Sequence, residues 1–295
     1  MSAAPQTAPL QAALWMSGAI LSFSSMAVAG RELSSDLDTF EIMMYRSFIG
    51  IVIVLGVATF RGRLGDIHVR NLRLHGTRNL AHFAGQNLWF FAVTVIPLAQ
   101  VFALEFTSPI WVLLLSPLIL GERLTPVRAL AALIGFAGIL IVARPNPESL
   151  SIGIIAAATS AICFALTTLF TKKLTRTEPV TSILFFLTVM QAVFGLLCAG
   201  YDFDIAVPEV SALPFIFVVG LGGLLAHFCI AKALSLAPAT VVMPVDFIRL
   251  PVIAVVGMAL YAEPLDAFVF LGAAVIFAGN YLNIWTETRS AREPA

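Results

Sequence analysis

The chain has 295 residues, of which 59% are hydrophobic and only 12% are charged, and its mean hydropathy is +0.95. An ordinary soluble domain carries roughly 25% charged residues, so this composition argues against a soluble protein. The formal net charge is zero, which leaves no basic excess for binding nucleic acid.

Apolar runs of about 20 residues recur along the chain, and each can cross a hydrocarbon core about 30 Å thick. In lipid every backbone N–H and C=O must be paired within the protein, so such runs indicate helices. Ten spans are predicted, near residues 12–30, 40–60, 74–95, 98–120, 125–143, 151–171, 180–200, 212–235, 239–261 and 265–286. The polar gaps between them are short, which leaves no room for a soluble domain.

Two features of the apolar runs exclude other interpretations. Residues 1–12 contain no Lys or Arg, so the basic region of a signal peptide is missing and we expect the first span to be retained. The three cysteines lie far apart without CxxC spacing, at Cys163, Cys198 and Cys229. Neither a disulfide framework nor a metal site is predicted.

Basic residues collect in alternate links between the spans. The link after span 2 is the most basic, with Arg61, Arg63, Arg70, Arg73 and Arg78. Further Lys and Arg residues follow spans 4, 6 and 10, whereas acidic residues predominate after spans 1, 7 and 9. Because cytoplasmic links carry the excess of Lys and Arg, the pattern predicts ten spans with both termini in the cytoplasm.

One stretch of the chain occurs twice. Residues 97–142 align without a gap on residues 238–283, 141 positions later. Equivalent positions hold similar residues, namely Glu105 and Asp246, Phe106 and Phe247, and Glu122 and Glu263. Each half then holds five spans, an odd number, so the second half enters the membrane in the opposite sense. The sequence predicts an all-α integral membrane protein with ten transmembrane helices, in which residues 1–144 and 145–295 form two five-helix inverted repeats.

The repeated stretches resemble the drug/metabolite transporter superfamily, specifically its ten-helix members built from two EamA-type repeats. The resemblance rests on the helix break Gly121–Leu124 and the run Gly135–Val142 in the first copy, and on Ala262–Leu265, Leu271–Ala274 and Ala278–Asn280 in the second. It implies transport of a small solute across the bacterial inner membrane by alternating access. It also implies a cavity lined mainly by spans 3, 4, 8 and 9, with parts of spans 1 and 6.

Four charged side chains lie well inside the predicted spans, at Arg46, Glu105, Asp246 and Arg249. A charge inside the bilayer costs at least about 2.5–3.5 kcal/mol, so it needs a partner or a function. Asp246 and Arg249 are three residues apart on one helix face, and Glu105 is the equivalent of Asp246. These three residues form either a binding site for a zwitterionic solute or an ion-pair network that only joins the helices. Arg249 has Ser108 as its counterpart, so the two halves are unequal here.

Polar side chains also follow one face of span 3, at His82, Gln86 and Trp89. His227 of span 8 is the equivalent of Gln86, and Gln100 stands near the start of span 4. Such residues face protein or water rather than lipid, so they either line the transport path or join helices. These five residues, together with the three charged residues Glu105, Asp246 and Arg249, are the candidate substrate-binding residues.

Spans 4 and 9 carry further signals of interrupted helices. Prolines occur within both, at Pro109, Pro117, Pro244 and Pro251, and are predicted to break the backbone hydrogen bonds there. Glu122 and Glu263 stand where each of these spans turns into the next. We expect these two acids to cap or tether helix ends rather than contact the solute.

The expected activity is secondary transport of a small solute by a functional monomer in the lipid bilayer, without a cofactor. Charges that match a zwitterion favour export of neutral or aromatic amino acids. The alternative is an uptake carrier for a cofactor or nucleoside-like metabolite of the flavin type. A membrane enzyme would show a motif such as HExxH or a glycine-rich phosphate loop, and a channel would show a filter loop or a ring of charge, so both are weaker alternatives.

Overall fold

Helices account for the regular structure in the part of the chain that the computed structural model describes, residues 9–121, 125–144, 151–236, 242 and 245–290, and no strand occurs there. The α-helices of the first half are α1 Pro9–Leu33, α2 Thr39–Phe60, α3 Leu72–Val95, α4 Leu98–Glu105, α5 Ser108–Leu120 and α6 Pro126–Ala143. Those of the second half are α7 Ile152–Leu174, α8 Val180–Ala199, α9 Leu213–Leu236, α10 Arg249–Tyr261 and α11 Ala267–Ser290.

Eight helical stretches in these ranges are long and apolar enough to cross a membrane. They are α1, α2, α6, α7, α8, α9, α11 and the α4–α5 pair, Leu98–Leu120. α10 is apolar but has only 13 residues, whereas α3 has 24 residues and many polar side chains in its first half. The all-α membrane fold is confirmed, and it is polarity rather than length that sets α3 apart.

Span 4 and span 9 are both interrupted, and at equivalent positions. α4 ends at Glu105 and α5 begins at Ser108, while α10 begins at Arg249 after the turn at residues 247–248. A proline follows each interruption, Pro109 in α5 and Pro251 in α10, and cannot donate a hydrogen bond to the preceding turn. Pro117 lies inside α5 without ending it, and Pro244 lies outside the described residues.

The packing of the helices repeats the symmetry of the sequence. α1 packs mainly against α9, and their counterparts α7 and α3 pack mainly against each other. α2 packs against its own counterpart α8, and α6 packs against its own counterpart α11. A pseudo-twofold axis between the halves therefore exchanges the pairs α1–α9 and α3–α7, and it maps the pairs α2–α8 and α6–α11 onto themselves.

Contacts between the links show that the copies run in opposite directions. Arg31 at the end of α1 forms an ion pair with Glu263, which follows α10. Glu263 also accepts a hydrogen bond from the N–H of Leu98, the first residue of α4, at 2.9 Å. α4 therefore begins at the face where α10 ends. At the opposite face Asn71, ahead of α3, donates to Glu178, ahead of α8, at 2.9 Å. We call these two ends of the bundle the Arg31 face and the Asn71 face.

The α6–α11 interface makes the same contact twice. A Cβ atom on Gly138 would lie 2.7 Å from the carbonyl oxygen of Gly272, and one on Gly279 would lie 2.7 Å from the carbonyl oxygen of Ala131. Gly138 and Gly279 are equivalent under the shift of 141, as are Ala131 and Gly272. The lack of a side chain at both glycines lets the two backbones approach closely, as is common between membrane helices.

Candidate functional site

The structure brings three of the candidate residues together at the interruptions of spans 4 and 9. Nη2 of Arg249 lies 3.3 Å from Oε1 of Glu105 and 3.4 Å from Oδ2 of Asp246. We call these three residues the ionic triad. The side chain of Arg249 is only 4% exposed, so the triad lies inside the bundle. Trp89 of α3 joins it by donating from Nε1 to Oε2 of Glu105 at 2.8 Å.

The ionic triad keeps unused capacity for hydrogen bonds. Nε and Nη1 of Arg249 are buried without a partner, as is Oδ1 of Asp246. A network that served only to join helices would be expected to satisfy its buried donors and acceptors. The ionic triad departs from that expectation at these three atoms.

Aromatic rings surround the guanidinium group of Arg249. Its central carbon lies 4.7 Å from the ring centre of Phe23, 5.1 Å from that of Phe102 and 4.8 Å from that of Phe106. Phe106 in turn stacks on its own counterpart Phe247, with ring centres 4.4 Å apart and planes at 17°. The pseudo-twofold axis passes between these two rings, so the ionic triad lies beside the symmetry axis.

A second polar cluster lies between α2, α3 and α9. Nη1 of Arg46 donates to Oε1 of Gln86 at 2.7 Å, and Nη2 of Arg46 lies 3.1 Å from the place where Gly223 of α9 would carry a Cβ. His227 is one helical turn beyond Gly223, and His82 is one turn before Gln86. Three candidate residues, His82, Gln86 and His227, thus surround an arginine to which the sequence assigned no role.

Phe23 connects the two clusters, because its ring packs edge-on against His227 with centres 5.6 Å apart and also lies against Arg249. His227 is exposed and lies within electrostatic range of arginines on three other helices, and we call the space between the two clusters the lumen. Gln100 does not face this lumen. Its amide donates to the carbonyl oxygen of Val142 in α6 at 3.5 Å.

A cavity of about 600 Å³ lies on the Asn71 side of the interruption in span 4. It is lined by residues of α5, α6, α7 and α11, including Ser108, Ser116, Arg128, Thr168, Lys172 and Asn283. None of the eight candidate residues lines it. The resemblance implied spans 3, 4, 8 and 9 as the main lining, and only span 4 contributes here. Ser108, the counterpart of Arg249, forms one end of this cavity.

The Arg31 face is closed by a set of contacts that the sequence only partly indicated. Nη2 of Arg31 donates to the carbonyl oxygen of Ile96 at 2.8 Å, and its guanidinium lies 4.6 Å from the ring centre of Tyr261. Tyr261 donates to Glu32 at 2.8 Å. Glu263 tethers the start of α4, as expected of it, whereas Glu122 lies outside the described residues. Arg31 lies in the link after span 1, where acidic residues predominate, and the sequence indicates no role for it.

The described ranges contain no group of three or more His, Cys, Asp or Glu side chains that could hold a metal ion. The lumen is instead built from guanidinium, carboxylate, imidazole and aromatic groups, which suit an organic solute.

Three relatives of this chain are named as transporters. The chain is 25% identical over 276 residues to an S-adenosylmethionine uptake transporter of Rickettsia felis, covering 94% of this chain and 93% of that one. It is 30% identical over 255 residues to a riboflavin transporter of Brucella anthropi, covering 85% and 89%. A riboflavin transporter of Vibrio cholerae is 28% identical over 97% of both chains.

The fold is shared with a known crystal structure at a TM-score of 0.63 and 22% identity, over 93% of this chain and 97% of that one. The sequence model of the EamA-like transporter family matches twice, at residues 10–144 and 151–285. These two matches span nearly all of the chain. The chain therefore belongs to the EamA-like transporter family.

Proposed function

We propose that this membrane transporter is an uptake carrier for a cofactor or nucleoside-like metabolite with a flat heteroaromatic ring. Two kinds of relatives are named for S-adenosylmethionine and for riboflavin. Both of these solutes combine a flat nitrogen heterocycle with a hydroxylated sugar group, a ribose ring in S-adenosylmethionine and a ribityl chain in riboflavin. The names of the relatives thus favour the uptake alternative over the export of neutral or aromatic amino acids.

The observation that carries the proposal is the aromatic surround of Arg249. Three phenylalanine rings lie about the guanidinium group, and Phe23 and Phe247 are only half-buried. Offset stacking on such rings holds a flat heterocycle, while a guanidinium group adds cation–π attraction and hydrogen bonds. The free donors of Arg249 and the free oxygen of Asp246 suit the polar edge of such a ring.

The two ends of the bundle differ, and this difference supports a route for the solute. The Arg31 face is sealed by Arg31 and Glu263, whereas the cavity beside Ser108 extends to Lys172, toward the Asn71 face. The Asn71 face carries the most basic link, so we assign it to the cytoplasm of a bacterial inner membrane. Rocking of the two repeats about the ionic triad would then open the Arg31 face and close the other.

Counterflow in liposomes tests the proposal. Purified protein is loaded with unlabelled riboflavin, S-adenosylmethionine, adenosine or phenylalanine, and uptake of the same labelled solute is measured. We expect saturable counterflow with a member of the cofactor or nucleoside class. Counterflow with phenylalanine alone would refute the proposal in favour of amino-acid transport.

A matched pair of variants locates the site within that assay. Phe247→Leu removes a half-buried ring beside the ionic triad and should weaken apparent affinity by about threefold to tenfold, the effect of losing one aromatic contact worth about 0.5–1.5 kcal/mol. Phe136→Leu makes the same change on α6, where the ring is 50% exposed, and should leave counterflow unchanged. Equal effects of the two variants would contradict binding of the solute beside the ionic triad.

A further inference from the structure

We infer that the transported solute carries an acidic group, a carboxylate or a phosphate, which binds between Arg46 and Arg78 beside His82 and His227. The inference rests on the proposed function, since it adds a second chemical feature to the same solute. We call these four residues the cation cluster. Neither arginine was a candidate binding residue from the sequence.

Arg46 is a cation with only neutral partners. It lies in the middle of α2, and its Nη1 donates to the amide oxygen of Gln86 at 2.7 Å and faces the sulfur of Met43 at 3.7 Å. No ion pair to a carboxylate involves Arg46 in the described ranges, which include all of α2, α3, α8 and α9. Its charge inside the bundle is therefore not neutralised there.

Arg78 repeats this situation one helical turn before His82 on the same face of α3. The sequence placed it in the basic link after span 2, but it lies in the second turn of α3 and is only 8% exposed. Its Nε donates to Oγ1 of Thr171 at 3.1 Å, and its Nη1 donates to Oδ1 of Asn79 at 2.7 Å. Both acceptors are neutral, so a second buried guanidinium also lacks a counter-charge among the described residues.

Two histidines complete the cluster. His82 lies between the two arginines along α3, is 9% exposed, and its Nδ1 has no hydrogen-bond partner. It is within electrostatic range of Arg46, Arg78 and His227. His227 approaches from α9 and is exposed. The cluster thus combines two fixed positive charges with two imidazole rings, one buried and one exposed.

Physical chemistry explains why such a cluster needs an anion. An ionised group removed from water without an opposite charge is costly, and charges inside membrane proteins usually pair or face the transport path. The ionic triad already pairs its charges, with two carboxylates around one arginine. The cation cluster instead contains two arginines and no carboxylate. The planar guanidinium fork of an arginine matches the oxygen atoms of a carboxylate or phosphate.

The two clusters share Phe23 as a neighbour, because its ring contacts both His227 and Arg249. One solute could therefore place its ring against the phenylalanines and its acidic group against Arg46 and Arg78. A free anion that binds together with a neutral solute is the other source of the same chemistry, and the experiment separates the two.

The test uses purified full-length protein and three pairs of solutes that differ in one acidic group. These are flavin mononucleotide with riboflavin, adenosine monophosphate with adenosine, and phenylalanine with phenylalaninamide. Inorganic phosphate is tested alone. Charge-assisted hydrogen bonds contribute about 1.5–3 kcal/mol, so we expect the acidic member of the recognised pair to bind about tenfold or more tightly, with phosphate as a competitor.

Variants assign that preference to the cluster. Arg46→Gln should abolish it, and Arg46→Lys should retain part of it. Gln86→Glu places a carboxylate beside Arg46 without changing the size of the side chain. Because the new carboxylate pairs with Arg46, this variant should raise the apparent melting temperature and abolish the preference for the acidic solute. An arginine needed only for helix packing would not explain the loss of that preference. Arg63→Gln removes a largely exposed arginine from the link after α2 and should change nothing.

The outcomes separate this inference from the proposed function. Binding of riboflavin or adenosine without preference for the acidic partner supports the proposed function and overturns the cation cluster. If phenylalanine and its amide are the only pair in which the acidic member is preferred, the result supports the cation cluster and overturns the proposed solute class. Phosphate binding that is lost in Arg46→Gln, without preference in any pair, overturns the assignment to the solute and identifies a free anion. Equal binding within every pair and no effect of phosphate overturn the site altogether.

Discussion

Spans 4 and 9 have the same architecture but different chemistry. Both are interrupted at equivalent positions, and both end the first segment with an acid, Glu105 or Asp246. The next helix begins with Ser108 in the first copy and with Arg249 in the second. One arginine therefore serves the carboxylates of both copies. The duplication supplied a symmetric pair of broken helices, and a single unequal position turned them into a site with a defined charge.

The α6–α11 interface shows the opposite behaviour. Gly138 and Gly279 make equivalent close backbone contacts, with the carbonyl oxygens of Gly272 and Ala131 at equivalent positions. Backbone packing needs the same shape on both sides of a twofold axis, whereas a solute is asymmetric and contacts the copies differently. Symmetry is thus kept where helices pack and lost where the solute would bind.

The largest expected effect comes from removing the asymmetry itself. Arg249→Ser makes the second copy like the first and leaves two inward-facing carboxylates without a counter-charge, which should cost about 3–5 kcal/mol in the free energy of unfolding. Thermal unfolding in detergent measures the loss. Neutralising the acids in the same background, with Glu105→Gln and Asp246→Asn, should restore much of it. No recovery in the triple variant would show that Arg249 stabilises the fold by other contacts.

The second prediction tests whether the two copies contribute equally to the α6–α11 interface. Gly138→Ala and Gly279→Ala each place a methyl group against the facing backbone, so each should destabilise the protein by about 1–3 kcal/mol and by similar amounts. Gly56→Ala is the control, because a Cβ there has no neighbour within 4 Å and alanine favours a helix. Thermal unfolding of the three variants compares them. A large effect in one copy only would argue against equivalent packing.

The smallest effect concerns the ends of the interrupted spans. Gly121 and its counterpart Ala262 both adopt left-handed backbone, with φ of 71° and 53°. Alanine is strained in this conformation and glycine is not, so Ala262→Gly should stabilise the protein by about 0.5–1 kcal/mol. Gly121→Ala should destabilise it by a similar amount. The difference in melting temperature between the two variants is the measurement, and a shift of the same sign in both would contradict the assignment.

The ionic triad could be predicted because it depends on short-range and repeat information. Asp246 and Arg249 are three residues apart in sequence, and the shift of 141 identifies Glu105 as the partner. The interruption of both spans followed from prolines, which remove a backbone donor wherever they occur. Even the tether by Glu263 was expected from its place at a helix end.

The cation cluster could not be predicted in the same way. The contact of Arg46 with Gln86 depends on how α2 is rotated against α3, and no periodicity in either helix specifies that rotation. Arg78 was grouped with the basic link because it follows four other arginines, although it lies near the start of the predicted span 3, and only the packing of α3 shows that it is buried. Gln100, selected for its polarity, faces α6 instead of the lumen.

The sequence by itself determined the membrane class, the duplication and the opposite directions of its copies. Composition, span length and the parity of the spans need no knowledge of which helices touch. Only the tertiary structure decided which polar groups share the lumen, and that the arginines of α2 and α3 lack a counter-charge in the described part of the chain. Those facts depend on helix rotation and on contacts between distant parts of the chain, such as Arg46 with Gln86 and Arg78 with Thr171, which side-chain packing selects and a linear pattern does not record.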